Sequence, residues 1–143
     1  MDEESYQRVE FKQRANAELG PPAAELFLKF VEPVDQITLM AMIRDVEGYL
    51  DVLEHMASKM GKVDMKLAKG IATACVELVR KCPFTDPWCM SLVAGAVRYF
   101  VYPFDADDDV SSETGLDDDA EVVNFVIKET GLPVDPVALR VPG

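Results

Sequence analysis

The chain has 143 residues, 49% of them hydrophobic, enough to bury one sizeable core and too few for two, so a single globular domain over 1–143 is expected. Its net charge of −12 is uneven: residues 103–121, PFDADDDVSSETGLDDDAE, hold nine of the 26 acids and no base, leaving 17 acids against 14 bases elsewhere. Phosphate backbones and anionic lipid are bound mainly through lysine and arginine, so this charge argues against nucleic acid as a direct partner and against stable membrane insertion.

The opening MDEESYQRVEF has no basic stretch followed by an apolar one, so no secretory signal is visible. The most apolar run, Trp88 to Val101, is 14 residues long and contains Arg98, whereas a spanning helix needs roughly 20 apolar residues. Three cysteines leave one over in any pairing scheme. A cytoplasmic location with reduced, buried thiols is the expectation.

Apolar residues recur at three and four throughout and no stretch alternates as a strand does, so the fold class is all-α, a compact bundle of about five to six helices with an acidic loop before the last. A first helix spans about Glu3 to Leu19 and is stopped by Gly20, Pro21 and Pro22, and a short amphipathic segment, AAELFLKFV, follows. The longest periodic element runs from about Pro33 to Met60 and ends at Gly61. Leu39, Ile43, Val46, Leu50, Leu53, Ala57 and Met60 are spaced 4-3-4-3-4-3 there, widened by Met42, Tyr49 and Met56. A stripe this wide points to a globular core, with a seam against a second copy of the chain as the alternative.

The next helix, about Val63 to Lys81, closes with Arg80 and Lys81 at the negative end of its dipole. After the turn CPFTDP, Asp86 is placed to cap a helix with Pro87 in its first position, and the following WCMSLVAGAVRYFV is apolar nearly all round, which marks the central helix. Pro103 ends it. Asp117 or Asp118 then caps a last helix through AEVVNFVIKET, stopped by Gly131 and Pro133, and the tail 132–143, with three prolines, is extended or mobile.

The acidic loop fails as an EF-hand in both plausible registers. Counting from Asp105 gives Asp107 and Asp109 at the third and fifth positions but Val110 at the sixth and Leu116 at the twelfth. Counting from Asp107 gives Asp109, Ser111 and, at the twelfth, Asp118, but Ser112 where the turn glycine belongs. A less regular calcium or magnesium site drawn from Asp105, Asp107, Asp109 and Asp118 is the alternative to a set of helix caps and solvated charges. A zinc site from Cys75, Cys82, Cys89 and His55 is disfavoured, because Pro83 and Pro87 interrupt any common helix and no C-x-x-C pair exists.

The stretch YFVYPFDADDDVSSETGLDDDAEVV resembles the YkvA-like uncharacterised helical domain of bacteria, whose motif reads approximately Y-x-x-P-x-D-L-I-P-D-x-x-P-x-x-G-x-x-D-D. Pro103, Asp105, Asp109, Gly115, Asp118 and Asp119 fall at the motif's spacing, Tyr99 or Phe100 serves for the aromatic ahead, and the likeness covers about Glu77 to Thr130. Asp108 and Ser112 stand where the motif has proline, and Ala106 and Asp107 replace its aliphatic pair. The resemblance implies that the six matching residues shape a loop between two helices, with no catalytic residue to carry over.

Enzyme chemistry has little inventory here: His55 is the only histidine and no glycine-rich phosphate loop occurs. The expectation is a non-catalytic module acting in protein–protein interaction, including self-association as a homodimer through the Leu39–Met60 helix. The alternative is a divalent-cation-binding module using the loop 105–119.

Overall fold

The computed structural model describes residues 3–60, 63–102 and 116–139, and it is all-α, with six helices and no strand among them. They are α1 (Glu3–Leu19), α2 (Pro21–Phe30), α3 (Gln36–Met60), α4 (Met65–Lys81), α5 (Pro87–Val101) and α6 (Asp117–Thr130). No described helix is long and apolar enough to cross a membrane.

Helix α5 is the axis of the bundle. Eleven of its fifteen residues are buried, and it packs against α2, α3, α4 and α6. Its start follows the sequence reading: Pro87 occupies the first turn, where no N–H is needed, and the Asp86 carboxylate accepts from the Cys89 N–H at 3.1 Å. Its one charge, Arg98, donates to the carbonyls of Phe30 at 2.9 Å and Glu32 at 3.4 Å, so the guanidinium serves carbonyls at and beyond the open end of α2. A close approach to α2 is set by Gly95. A methyl group there would stand 2.9 Å from Val31 Cγ2 and 3.1 Å from the Phe27 ring.

The stripe on α3 faces inward, with Leu39, Met42, Val46, Tyr49 and Leu53 buried against the core. A seam built on those residues is therefore already occupied within one chain; among the described side chains of α3, Ile37, Met40 and Val52 are the large apolar ones left exposed. Two starts fall later than the apolar pattern suggests. Asp35 accepts from the Thr38 N–H at 2.7 Å and Asp64 from the Leu67 N–H at 3.1 Å, so these caps, not Pro33 or Val63, fix where α3 and α4 begin. Gly61, expected to end α3, lies outside the described residues.

Helix α1 is bound firmly into the fold. Phe11, Ala15 and Leu19 are buried, and Phe11 packs its ring on Phe125 at 5.7 Å and edge-on to Trp88 at 5.1 Å, linking α1 to α6 and α5. Arg14 pairs with Glu129 through two bonds of 2.7 and 2.9 Å, and Lys128 reaches Glu18 at 2.7 Å.

The last helix corrects the capping expectation. Its cap position is held by Leu116, buried and making no side-chain cap bond, while Asp117, Asp118 and Asp119 all stand in the first turn. Burying Leu116 fixes the entry of the chain, and the three carboxylates still face the positive end of the dipole. Gly131, at φ 68°, ends α6 with its N–H on the Ile127 carbonyl at 3.0 Å.

Candidate functional site

Of the residues singled out in the acidic loop, Pro103, Asp105, Asp107, Asp109 and Gly115 lie outside the described residues. Asp118 faces solvent on α6, and Asp119 is 2% exposed beneath it. Partial shielding and the neighbouring Asp117 hold the Asp118 carboxyl above the ordinary range, and burial with Asp118 and Asp117 does the same to Glu121. Burial pushes the Cys75 thiol up, and the nearby Asp119 carboxylate adds to it. His55 is exposed on α3, far in kind from the buried cysteines. Among the described residues no three His, Cys, Asp or Glu side chains come together in a group able to hold a metal ion.

Cys82 and Cys89 meet across the α4–α5 turn with their sulfurs 3.4 Å apart, both buried. Burial, then the contact with Cys89, pushes the Cys82 thiol up to about 12, and burial also raises Cys89. Thiols held protonated and buried are poor nucleophiles.

The most developed side-chain-to-backbone geometry is elsewhere, where residues 132–137 run without regular secondary structure across α4 and α6. After Gly131 the chain turns sharply, the Val134 N–H bonding to the Leu132 carbonyl at 2.8 Å. Val134 and Val137 are buried, while Asp135 and Pro136 between them face solvent. Asn124, half-buried on α6, grips one residue twice: its Oδ1 accepts from the Val137 N–H at 2.7 Å and its Nδ2 donates to the Val137 carbonyl at 3.0 Å. Only one orientation of the amide satisfies both. From α4, Lys81 Nζ donates to the Pro133 carbonyl at 2.7 Å.

Every one of those three bonds ends on main chain, so the groove reads backbone course and two small apolar side chains three residues apart. Beside the strap an open cleft of about 550 Å³ is lined by Lys69, Thr73 and Glu77 of α4 and by the strap itself. A second, of about 360 Å³, continues past Val137 to Leu67 and Lys66.

The tail expected to be extended or mobile is instead clamped at Pro133 and Val137. The available signal was Asn124, a polar residue inside the apolar run VVNFVI, together with two valines three apart in the proline-bounded segment PVDPV. A second surface feature is the exposed face of Trp88, set beside Arg8, Lys12 and Ser91 in a cleft of about 330 Å³.

No family model, no curated protein and no solved structure matches the chain.

Proposed function

We propose that the protein is a non-catalytic helical module that acts by binding other proteins. The observation that supports this reading is the contact over α4 and α6: a segment without regular secondary structure is held by side-chain bonds to its backbone and by two buried valines. Extended peptides are commonly recognised in this way, with main-chain bonds for affinity and small pockets for alternate or spaced side chains. The proposed likeness of residues 77–130 to the YkvA-like domains is compatible with the reading, since their motif carries no catalytic residue onto this chain.

The test is selection of a displayed random-peptide library on the immobilised full chain. Enrichment of a sequence family whose synthetic members bind in solution is the expected outcome. Failure to enrich any family beyond that found on an unrelated acidic helical bundle would count against the module reading.

A further inference from the structure

We infer that Cys82 and Cys89 are a disulfide site: in a chain that folds in the presence of a low-molecular-weight disulfide they become joined across the α4–α5 turn, while Cys75 stays a thiol. This inference is independent of the protein-binding reading and concerns a covalent modification of the fold itself.

The geometry of the turn carries it. The two sulfurs lie 3.4 Å apart with both residues buried, so a bond of about 2.05 Å asks each sulfur to move by only about 0.7 Å. The backbone on either side is already fixed. Cys82 is the extended residue that follows the last turn of α4, and Pro83 restricts the course of the chain beyond it. Cys89 stands in the first turn of α5, where its N–H bonds the Asp86 carboxylate at 3.1 Å, and the Asp86 N–H bonds the Pro83 carbonyl at 3.2 Å. The turn is thus tied at two points and presents the two side chains to each other. Cys75 is out of reach of Cys82, because seven residues along α4 separate them by about 10 Å, more than the roughly 7 Å between Cα atoms that a disulfide spans.

The route to the bond follows from burial. In the folded chain both thiols are held protonated, and a protonated thiol does not attack a disulfide. In the unfolded chain they ionise as ordinary cysteines. One thiolate attacks a sulfur of oxidised glutathione, expelling a glutathione thiolate and leaving a mixed disulfide; the second attacks the chain sulfur of that mixed disulfide and expels the other glutathione thiolate. Two electrons pass from the cysteines to glutathione, whose two thiolates take up the two protons that the cysteines released. Folding and the bond then favour each other by the same factor, because closing the loop over positions 82–89 removes entropy from the unfolded chain. The same burial shields the finished bond from reductant until the turn opens.

The experiment refolds the full reduced chain from denaturant in a buffer of reduced and oxidised glutathione, with the native reduced chain held in the same buffer beside it. Free thiols are then alkylated in denaturant, counted by mass and mapped by proteolysis. The refolded chain is expected to carry one alkylated cysteine, Cys75, and a linked Cys82–Cys89 peptide, whereas the native reduced chain keeps all three thiols over the same time. The Tm of the linked chain is expected to lie about 8 °C above that of the reduced chain, the shift for a closed loop of about eight residues in a domain of this size, and to fall back once the bond is reduced in denaturant. Cys75→Ser is expected to leave the linkage and the shift in place.

Three alkylated cysteines in the refolded chain would overturn the inference, as would pairing spread over Cys75 or linkage between copies. A Cys82–Cys89 bond that leaves Tm at or below that of the reduced chain would overturn it too, because the folded turn would then not be the geometry that favours the bond. Oxidation of the native reduced chain as fast as the unfolded one would refute the route through the unfolded chain.

Discussion

Gly95→Ala and Gly48→Ala test how α2 is seated on the central helix, because the two substitutions share one term and differ in the other. Both glycines lie inside helices, and replacing either by alanine gains about 0.5–1 kcal/mol through propensity and the entropy of the unfolded chain. At Gly48, exposed on α3, a methyl meets nothing within 4 Å, so that gain stands and Tm rises. At Gly95 the methyl lies 2.9 Å from Val31 Cγ2, 3.1 Å from Phe27 Cε1 and 3.4 Å from Val31 Cα. Ordinary contact is thus short by about half an ångström against a buried ring and a β-branched side chain, and overpacking of that order costs about 1–3 kcal/mol. Propensity cancels between the variants, leaving the steric cost as their difference. With an unfolding entropy of about 0.3 kcal/mol/K for 143 residues, Gly95→Ala is expected to melt about 3–10 °C below Gly48→Ala in calorimetry. Equal melting temperatures would refute the close approach of α2 and α5.

Asp86→Ala removes the cap of the central helix and is expected to cost about 0.5–2 kcal/mol, seen as a Tm lower by about 2–6 °C. The cysteines are expected to react with a thiol-specific disulfide reagent only on unfolding, since all three are buried and at pH 8 a thiol pushed up to about 12, as Cys82 is, has about one molecule in ten thousand ionised; three equivalents released from native protein would contradict this. Asp118→Asn is expected to leave Tm at pH 7 unchanged or raised and to flatten its pH dependence. A carboxyl raised in the folded state favours folding when protonated, and that contribution is lost as pH rises from the unfolded value through the raised one; a lowered Tm at pH 7 would instead show that the α6 dipole outweighs burial and the repulsion from Asp117. Millimolar calcium or magnesium is expected to move Tm by less than about 1 °C, whereas a bound cation at a hundredfold excess over its Kd stabilises by about 2.7 kcal/mol, worth about 9 °C here.

What the sequence makes legible is what local chemistry decides. The Asp86–Pro87 start of α5 depends on two adjacent residues and was readable, as were the stop of α1 at Leu19 and the inward face of α3. The starts of α3 and α4 were misplaced because apolar spacing continues past a helix end, whereas Asp35 and Asp64 stop it by accepting from an N–H three residues on. Asp118 looked like a cap for the same local reason, but entry to α6 is settled by the burial of Leu116, a tertiary demand. The firm seating of α1 was equally out of reach, since Phe11 on Phe125 and Arg14 on Glu129 join residues more than a hundred positions apart.

The strap belongs to that second class, since its clamp joins Asn124 to Val137 and Lys81 to Pro133. Prolines at 133 and 136 keep the segment out of any helix and lower the entropy it loses on docking, so three bonds and two valines suffice to hold it. Val134→Ala removes two buried methyl-sized groups, about 1.6 kcal/mol at about 0.8 each, and is expected to speed hydrogen exchange of the Val137 amide about fifteenfold; unchanged exchange would show that the Asn124 clamp holds Val137 independently of Val134.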